Sequence, residues 1–520
     1  MRTLETDVLV IGSGFGGAAP ALRLARAGLR VQVVEKGPRL DPASDFRRTQ
    51  DPKYLLRYLK GVPGENLDLT YAEALGGGSA FFEMVCLRAP SRAFEQVDER
   101  GTRLWPRGVD RAALDPYYQL AERMLEVEQI RAEEVPRTGL VFALMMKNLG
   151  YHCERARYAV RGCVGAGYCI AGCTFGAKRS LLETYLPRIV EAGAGIATDL
   201  EAESIRPLVD ARRAPRSGPI ASIPHRYQVL CRSRGGSESV LARARLVVLA
   251  GGTVHTASLL LRSRAQLPHL APHVGRHIAF NGSVKAAGLL AEGLPDVDNY
   301  TGRSHPGMVS YQFLDSHGTM VTAAKALPIQ VASAARLRLE GSSALSYFGR
   351  PAVERMREFR RRTIVLAAFG LTPPSGRLEF SADGSARVTL ESAPWWRSYR
   401  SRTVDLLHSI LRRNGCRPLA LDFVNPEGRP YRDVHFSSAH QVGSCRMADS
   451  QERGVVDAAG EVFGHPGLFV TDGAAVPSSL AVNTALTILA NAERIAARLV
   501  ERFPAFGVTP ASPARAPVGT

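Results

Sequence analysis

The feature that most constrains this chain is a run of glycines near its start, Gly12-Ser13-Gly14-Phe15-Gly16-Gly17. It follows the apolar segment Asp7–Ile11, which predicts a strand, and precedes Ala18–Ala27, which predicts a helix. In such a turn the first glycine permits a sharp bend, the second lets the backbone approach a pyrophosphate, and the third lets the helix pack on the strand. The glycine pattern alone is a weak signal, but in this strand–turn–helix setting it predicts a dinucleotide-binding βαβ unit.

An acidic residue stands where the second strand of such a unit should end. Glu35 closes the β-rich segment Val31–Glu35, 18 residues after Gly17. Its carboxylate can accept hydrogen bonds from ribose hydroxyls, and its negative charge disfavours the 2′-phosphate of NADP. The motif by itself does not separate FAD from NAD. An NAD-dependent reductase would need a second fingerprint, and Gly251-Gly252-Thr253 is not one.

A second segment with strand–glycine–helix order lies at Ala244–Ser263. Between the two units, Gly176–Glu191 predicts a helix and Ile196–Ile205 the start of a hairpin, with Arg212–Ile223 as a surface loop inside that hairpin. From about Leu289 to Phe436 the pattern changes to alternating strands and meanders. The middle of the chain therefore predicts a β-rich insert.

After the β-rich insert, the last part of the chain returns to the pattern of the nucleotide-binding segments. Thr484–Val500 predicts one long helix, and Pro504–Thr520 predicts a frayed tail with few large apolar residues. Because nucleotide-binding segments flank the β-rich insert, we expect two interleaved domains rather than three consecutive ones.

Composition excludes several other classes of protein. The chain has 66 Lys and Arg residues against 49 Asp and Glu residues, a formal net charge of +17, but the basic residues are spread throughout and do not alternate with aromatics. We therefore exclude a nucleic-acid partner. No stretch reaches the ~18 apolar residues of a membrane helix, and the strand at Asp7–Ile11 leaves no room for a signal peptide. We expect a cytoplasmic protein without a transmembrane segment and leave peripheral membrane contact open.

Further motifs occur in order along the chain: Gly76-Gly77-Gly78-Ser79, Trp105-Pro106, Gly176-Ala177-Lys178, His440-Gln441-Val442-Gly443-Ser444-Cys445-Arg446-Met447, Val470-Thr471-Asp472-Gly473 and Asn483-Thr484-Ala485-Leu486-Thr487-Ile488. With these motifs the chain resembles the glucose–methanol–choline (GMC) oxidoreductases, and within them the cholesterol-oxidase-like branch. The resemblance spans residues 5–500 and is weakest over residues 291–436. It implies FAD as cofactor and the oxidation of an alcohol to a carbonyl.

The resemblance implies an α/β fold with an α+β insert, in which a Rossmann-like FAD-binding domain is interleaved with a substrate domain built on an antiparallel sheet. We expect residues 1–290 to form the FAD-binding domain and residues 291–439 the substrate-binding domain. Residues 440–503 would return to the FAD domain with the catalytic motif, and residues 504–520 would be a disordered tail.

The resemblance also assigns roles to residues. Gly77, Gly78 and Ser79 would lie along the flavin, Asp472-Gly473 near the ribityl chain, and the backbone of Ala202 against the adenine. The complete set of expected cofactor-binding residues is Gly12, Gly14, Phe15, Gly17, Glu35, Gly77, Gly78, Ser79, Ala202, Asp472 and Gly473.

Two residues are expected to be catalytic. Hydride transfer from a carbinol carbon is easier as the hydroxyl proton leaves, and the imidazole of His440 suits acceptance of that proton near neutral pH. The resemblance implies that Asn483 holds the substrate oxygen beside His440. Asn483 also precedes a predicted helix, where asparagine is a favoured N-cap, so a purely structural role stays open.

The chain departs from its relatives in two places. Phe81-Phe82 stands where some of them carry the histidine that anchors flavin covalently, so we expect FAD to be bound non-covalently. The carboxylate that cholesterol oxidases use to isomerise the steroid double bond falls on Arg360 here, with Glu358 two residues away. This argues against the isomerase step and against cholesterol itself as the substrate.

Three cysteines cluster in a pattern close to that of a ferredoxin. Cys163, Cys169 and Cys173 follow the iron–sulfur spacing, except that Ala166 replaces the second cysteine. Three thiolates are too few, so we expect no metal site. The segment Pro52–Gly61 is apolar and basic, and its interpretation as a lid or as an ordinary surface helix stays open.

The sequence thus predicts an FAD-dependent oxidoreductase that oxidises the CH–OH group of a bulky apolar alcohol, sterol-like or long-chain. The small-molecule alcohol and either oxygen or another electron acceptor are the expected partners. Two alternatives stay open: a dehydrogenase that uses a non-oxygen acceptor, and a flavin-binding protein without turnover. The presence of both His440 and Asn483 argues against the second alternative.

Overall fold

The apolar segment before the glycines forms the middle of a seven-stranded sheet, because its side chains are buried from both faces. The computed structural model describes residues 2–46, 54, 56–209, 215–236, 238–325, 335–338, 349–391, 393–423 and 435–505. Three predicted segments lie partly outside the described residues: residues 506–520 of the tail predicted at 504–520, residues 212–214 of the surface loop, and residues 52, 53 and 55 of the apolar-basic segment.

The strands of the described residues are β1 (Arg2–Ile11), β2 (Val31–Val34), β3 (Leu59–Val62), β4 (Leu67–Ala72), β5 (Val127–Gln129), β6 (Glu154–Arg155), β7 (Arg157–Ala159), β8 (Gly195–Ala197), β9 (Leu200–Pro207), β10 (Tyr227–Ser233), β11 (Ser239–Leu249), β12 (Val284–Leu289), β13 (Met308–Ser310), β14 (Thr319–Ala324), β15 (Ala335–Arg338), β16 (Thr363–Gly370), β17 (Gly376–Phe380), β18 (Ala386–Leu390), β19 (Arg417–Phe423), β20 (Phe436–Ser438) and β21 (Leu468–Val470).

The α-helices of the same residues are α1 (Phe15–Arg26), α2 (Pro42–Asp45), α3 (Ser91–Phe94), α4 (Arg111–Met124), α5 (Arg137–Asn148), α6 (Tyr185–Glu191), α7 (Gly252–Arg262), α8 (Leu314–His317), α9 (Gly349–Arg362), α10 (Ala393–Arg413) and α11 (Ala485–Arg502). None of these helices is both long enough and apolar enough to cross a bilayer.

The first sheet has the strand order β8-β2-β1-β11-β10-β9, with β21 also paired to β11. Strands β8, β2, β1, β11 and β21 run parallel to their neighbours among themselves, and β10 and β9 extend the sheet as an antiparallel hairpin. The predicted strand–glycine–helix–strand unit is confirmed as β1, α1 and β2, and the second unit as β11 and α7. The fold class is mixed α/β, as predicted.

The second sheet has the order β15-β19-β12-β16-β14-β13-β6, and all its paired strands are antiparallel. Its strand β6 lies at Glu154–Arg155, inside the segment that the sequence assigns to the FAD-binding domain. The chain therefore crosses between the two sheets more often than the predicted boundaries imply.

Within the described residues, the β-rich insert contains three helices that the sequence analysis did not predict, the short α8 and the longer α9 and α10. In α10, Trp396, Tyr399 and Leu407 are among the buried side chains, and their spacing places them on one face of the helix. That face packs against β12 and β19. The helical periodicity was present in the sequence, and the strand-like segments around it concealed it.

The predicted helix at Gly176–Glu191 is wrong over its first half, since α6 begins only at Tyr185. Local side-chain hydrogen bonds replace the helical pattern: the Ser180 amide donates to the Glu183 carboxylate at 2.9 Å, and the Thr184 hydroxyl donates to the Ser180 carbonyl at 2.6 Å. The Lys178 ammonium also donates to the Ala80 carbonyl at 2.8 Å, which holds this segment extended against the glycine turn.

Candidate active site

The carboxyl ends of the parallel strands position one end of a cavity of 670 Å³. Gly12 follows β1, Glu35 follows β2, Gly251 follows β11 and Asp472 follows β21. Eleven of the thirteen predicted site residues line this one cavity: Gly12, Gly14, Phe15, Glu35, Gly77, Gly78, Ala202, His440, Asp472, Gly473 and Asn483.

The other two predicted residues lie behind the cavity wall. The Ser79 hydroxyl donates to the Gly76 carbonyl at 2.7 Å and accepts from the Leu181 amide at 3.2 Å, so it is fully used within the protein. A Cβ at Gly17 would overlap the carbonyl of Gly12. Both residues shape the glycine turns, and neither faces the cavity.

The glycine turns form a cradle for an elongated anionic group. Gly12 has a φ of 102°, which favours glycine, and a Cβ at Gly77 would lie 3.1 Å from the Cα of Gly14. Helix α1 begins beyond Gly14 without a side-chain cap, so the N–H groups of Phe15 and Gly16 at its start are available to an anion. These residues fit the diphosphate of a dinucleotide.

Glu35 is buried beside this cradle. Its carboxylate accepts from the amide of Ser13 at 3.0 Å, from the hydroxyl of Ser13 at 2.7 Å and from the amide of Gly37 at 2.8 Å. Burial raises the pKa of Glu35, although these three donors favour its charged form. The remaining lone pairs of the carboxylate can accept the hydroxyls of a ribose.

The sequence analysis missed a charged cluster at the same end of the cavity. Lys36 contacts Glu73 at 2.8 Å and Glu201 at 3.6 Å, and His255 lies 3.6 Å from Glu73. Burial acts to raise the pKa of Glu73, but the hydrogen bonds of His255 and Lys36 outweigh it and lower the pKa to about 2. These residues belong to no motif, so only the fold reveals that they meet.

Asp472 is held by backbone and side-chain donors from another strand end. Its carboxylate accepts from the Gly252 amide at 2.7 Å, the Thr256 hydroxyl at 2.6 Å and the Ala474 amide at 2.8 Å. Burial raises its pKa to about 6. Asp472 therefore ties α7 to the segment after β21 and fixes the backbone that faces the cavity.

His440 and Asn483 meet in the lining of the same cavity. The amide nitrogen of Asn483 lies 3.3 Å from Nε2 of His440, and the ring of Phe369 lies 5.2 Å from the imidazole. Burial and the charge of Lys285 lower the pKa of His440 to about 4, so the imidazole is neutral at neutral pH. The pairing that the sequence predicted is present in the structure.

Asn483 does not cap the following helix. Helix α11 begins at Ala485, and its N-cap residue is Thr484. The Asn483 Oδ1 atom is shielded from solvent and makes no hydrogen bond within the described residues. This geometry favours a role in the cavity over the structural alternative.

Asn281 orients the imidazole and was missed by the sequence analysis. Its Oδ1 accepts from the amides of Leu480 at 2.8 Å and Ala481 at 3.2 Å, and its Nδ2 donates to the Val482 carbonyl at 2.7 Å. The same Nδ2 lies 3.4 Å from Nδ1 of His440. A single asparagine ahead of a strand gives no signal for such a contact in the sequence.

Two charged residues of the cavity lining were also missed. Glu83 and Lys285 line it together with the apolar side chains of Phe82, Val85 and Ile170. Glu83 could have been noticed, because it directly follows the two phenylalanines that depart from the family pattern.

Arg360, which stands at the position of the cholesterol-oxidase carboxylate, lies outside the cavity. Its guanidinium forms an ion pair with Asp298 at 3.1 Å on the protein surface, and neither Arg360 nor Glu358 lines the cavity. The structure thus places no carboxylate at this position in the site.

The three clustered cysteines are free and line a separate small cavity of 90 Å³. In the part of the chain that the structure covers, no group of three or more His, Cys, Asp or Glu side chains is arranged to hold a metal ion. The Lys178 ammonium donates to the Cys169 carbonyl at 2.6 Å and so joins this loop to the glycine turn.

Several known proteins are similar to this chain in sequence or in fold. Cholesterol oxidase of Mycobacterium tuberculosis is 26% identical, over 95% of this chain and 90% of its own length. Long-chain-alcohol oxidase FAO3 of Arabidopsis thaliana is 25% identical, over 96% of this chain and 68% of its own length. The crystal structure of pyridoxine 4-oxidase from Mesorbium loti superimposes with a TM-score of 0.66 at 16% identity, over 95% of this chain and 99% of that one, and supports the fold.

Models of the GMC oxidoreductases match the chain in two parts. The N-terminal model covers residues 6–281 and the C-terminal model covers residues 404–492. The family binds FAD in general, and the cradle described above is compatible with that cofactor. The resemblance that the sequence predicted is thereby confirmed, and the chain belongs to the GMC oxidoreductase family.

Proposed function

We propose that this protein oxidises the CH–OH group of a bulky apolar alcohol, long-chain or sterol-like, to a carbonyl with bound FAD. The observation that carries the proposal is the convergence of His440 and Asn483 in a cavity that continues from the glycine cradle. The flavin supplies the hydride acceptor. A flavin-binding protein without turnover would have no need of this polar pair.

Different residues of the cavity lining would bind the diphosphate, the ribose and the substrate. Gly14, Gly77 and the start of α1 would hold the diphosphate, and Glu35 the ribose. His440 and Asn483 would bind the substrate oxygen, while Phe82, Val85 and Ile170 would contact the apolar body of the substrate and keep water away. Phe82 lies edge-on to Phe15 at 5.4 Å, which keeps its ring against the cavity wall.

We further propose that FAD is held without a covalent bond. Phe81 is buried in a cluster with Phe46 and Tyr58, and Phe82 faces the cavity. Neither side chain has a nucleophilic atom that could attach to the flavin.

The visible spectrum of the purified protein tests the cofactor, and anaerobic bleaching by alcohols tests the reaction. We expect bands of oxidised flavin that 1-dodecanol or cholesterol bleaches faster than glucose does. A colourless protein that takes up no FAD would overturn the proposal. Bleaching by glucose alone would overturn the apolar substrate class.

The electron acceptor is tested separately from the alcohol. Reduced protein mixed with air-saturated buffer should recover its colour and form hydrogen peroxide if it is an oxidase. Slow recovery in oxygen, with fast recovery on adding a quinone, would assign it to the dehydrogenases.

A further inference from the structure

The charged cluster at the end of β2 lies beside the residues that would hold the ribose of FAD. Lys36 directly follows Glu35 in the chain. A Cβ at Gly37 would overlap the backbone of Glu73, so the turn after β2 packs directly on the segment after β4. The Leu200 amide also donates to the Glu35 carbonyl at 2.9 Å. These backbone contacts place Lys36 and Glu73 next to the proposed ribose site.

The cluster joins two separate sheets. Oε1 of Glu73 lies 2.8 Å from Nζ of Lys36 and 3.6 Å from Nε2 of His255, and those two nitrogens are 3.4 Å apart. The ring of Tyr71 on β4 meets the His255 ring edge-on at 4.6 Å. Lys36 follows β2 of the first sheet and His255 lies on α7, whereas β4 belongs to a three-stranded sheet of order β20-β4-β3. Side-chain contacts therefore connect the small sheet to the first sheet beside the cavity.

The same side chains mark an opening of the cavity. Glu73, His255 and Lys36 all line it, and their side chains are 10%, 23% and 35% exposed. Glu201 continues this rim, since it is 35% exposed and lies 3.6 Å from Lys36. It directly precedes Ala202, the residue expected against the adenine. The cavity thus reaches solvent at its adenosine end, between charged side chains that contact one another.

The ion pair at this opening is strong enough to keep it closed. Burial acts to raise the pKa of Glu73, but hydrogen bonds from His255 and Lys36 lower it to about 2, so the group is a carboxylate near neutral pH. Separating it from Lys36 would leave a largely buried charge without its counter-charge, which is unfavourable. The two sheets should therefore separate here only rarely.

We propose that Glu73, Lys36 and His255 form a latch that closes the adenosine end of the cavity, and that FAD enters and leaves only while this latch is open. The adenosine half of the cofactor would lie inside it, between Glu35 and Ala202. The contact between Glu73 and Lys36 is the one that must break, because it joins the two sheets at hydrogen-bond distance. This inference rests on the FAD of the proposed function and does not depend on the alcohol.

The test measures the rates of FAD uptake and release by flavin fluorescence in the wild type, Glu73→Gln and Lys36→Met. We expect both rates to rise by roughly 10-fold in each variant, because each loses the same charged hydrogen bond. The double variant should be no faster than the single variants, since both substitutions remove one contact. The matched control is Glu203→Gln on β9, whose ion pair with Arg232 at 2.7 Å lies outside the cavity lining and whose loss should leave both rates unchanged.

Sodium chloride provides a second measurement on the unaltered protein. Because the latch is partly exposed, raising the salt from about 0.05 M to about 0.5 M should weaken it and speed the release of FAD. Salt also acts on the diphosphate of FAD, but that effect is common to the wild type and Glu73→Gln. The acceleration should therefore be larger in the wild type than in the variant.

Two results would contradict a latch. Variants that take up and release FAD at the wild-type rates, with the wild-type response to salt, would show that the ion pair does not limit exchange. Faster release with unchanged uptake would show that Glu73 contacts FAD directly and does not close the cavity. No alcohol enters these measurements. Failure of the latch therefore leaves the proposed reaction standing, and an FAD-loaded protein that no alcohol bleaches fails the proposed function while its exchange rates still report on the latch.

Discussion

Arg23 on α1 donates two hydrogen bonds to Glu493 on α11, at 2.7 and 2.9 Å, and so joins residues 470 positions apart. The Tyr185 hydroxyl donates to the same carboxylate at 2.7 Å. Glu493 is buried, and Arg23 is partly buried. The helix that carries the glycine cradle is thus fixed by a carboxylate from the last helix.

The first prediction concerns this ion pair. Glu493→Gln should lower the free energy of unfolding by about 3 kcal/mol, because it leaves a largely buried guanidinium without its counter-charge. Denaturant unfolding followed by circular dichroism measures the change. The matched control is Glu501→Gln, an exposed position on the same helix, which should change stability by less than about 0.5 kcal/mol. Equal effects of the two substitutions would contradict a role for the pair.

The second prediction concerns Glu35 and FAD. Glu35→Gln should weaken FAD binding by roughly 10- to 100-fold, since hydrogen bonds to a charged group contribute about 1.5–3 kcal/mol. Burial holds the pKa of Glu35 above its usual value, so the carboxyl stays protonated to a higher pH than an exposed glutamate. Wild-type affinity for FAD should accordingly rise with pH as the proton is lost, and the variant should show no such rise.

Titration of the apoprotein with FAD, followed by flavin fluorescence across the pH range in which the protein stays folded, provides the measurement. A variant that binds FAD as tightly as the wild type would remove Glu35 from the cofactor site. Glu379→Gln on β17 is a suitable control, because that side chain is exposed and lies outside the cavity.

The third prediction is that acid precipitation releases all of the flavin. Phe81 and Phe82 cannot form a bond to it, so the yellow colour should pass into the supernatant. The absorbance of the supernatant and of the redissolved pellet measures the two fractions. Colour that stays with the washed pellet would show a covalent link through another residue.

The fourth prediction separates the roles of His440 and Asn483. His440→Ala should slow flavin reduction by roughly 10²–10⁴-fold, the usual loss on removing a general base. Asn483→Ala should cost about 1–3 kcal/mol of transition-state stabilisation, and the double variant should lose less than the sum, because both side chains position one oxygen. Stopped-flow reduction measures all three proteins.

Thermal unfolding of the same variants provides the control. Asn483→Ala should leave the melting temperature nearly unchanged, because Thr484 occupies the N-cap position of α11. If it instead lowers stability by about 1 kcal/mol and leaves the rate unaltered, Asn483 is a capping residue. A His440→Ala protein that reduces its flavin at the wild-type rate would remove His440 from the reaction.

How much of the site the sequence could predict depends on how far apart along the chain the interacting residues lie. Gly12 to Glu35 form one continuous βαβ unit, so strand, turn and acid could be interpreted together. The contact of Asn281 with His440 joins positions 159 residues apart and depends on the bridge between Ala279 and Val442. No local pattern encodes that bridge.

Side-chain chemistry limited the prediction in other places. Residues 176–184 have helix-like composition, but Ser180 and Thr184 bond to nearby backbone groups and hold the segment out of a helix. Glu83 stands beside a recognised motif, yet Lys285, which lines the same cavity, lies on β12 of the second sheet. Local periodicity predicts elements, whereas the electrostatics of a site depends on tertiary pairing.

The bond between Arg23 and Glu493 also sets an order of events during synthesis. The ribosome makes the glycine turn before the strand and helix that complete its surroundings, because β21 and α11 follow it by 450 or more residues and the two ends of this bond are 470 residues apart. Until then the buried face of α1 and one edge of β11 have no native partner. The complete cavity can therefore form only after translation has passed α11.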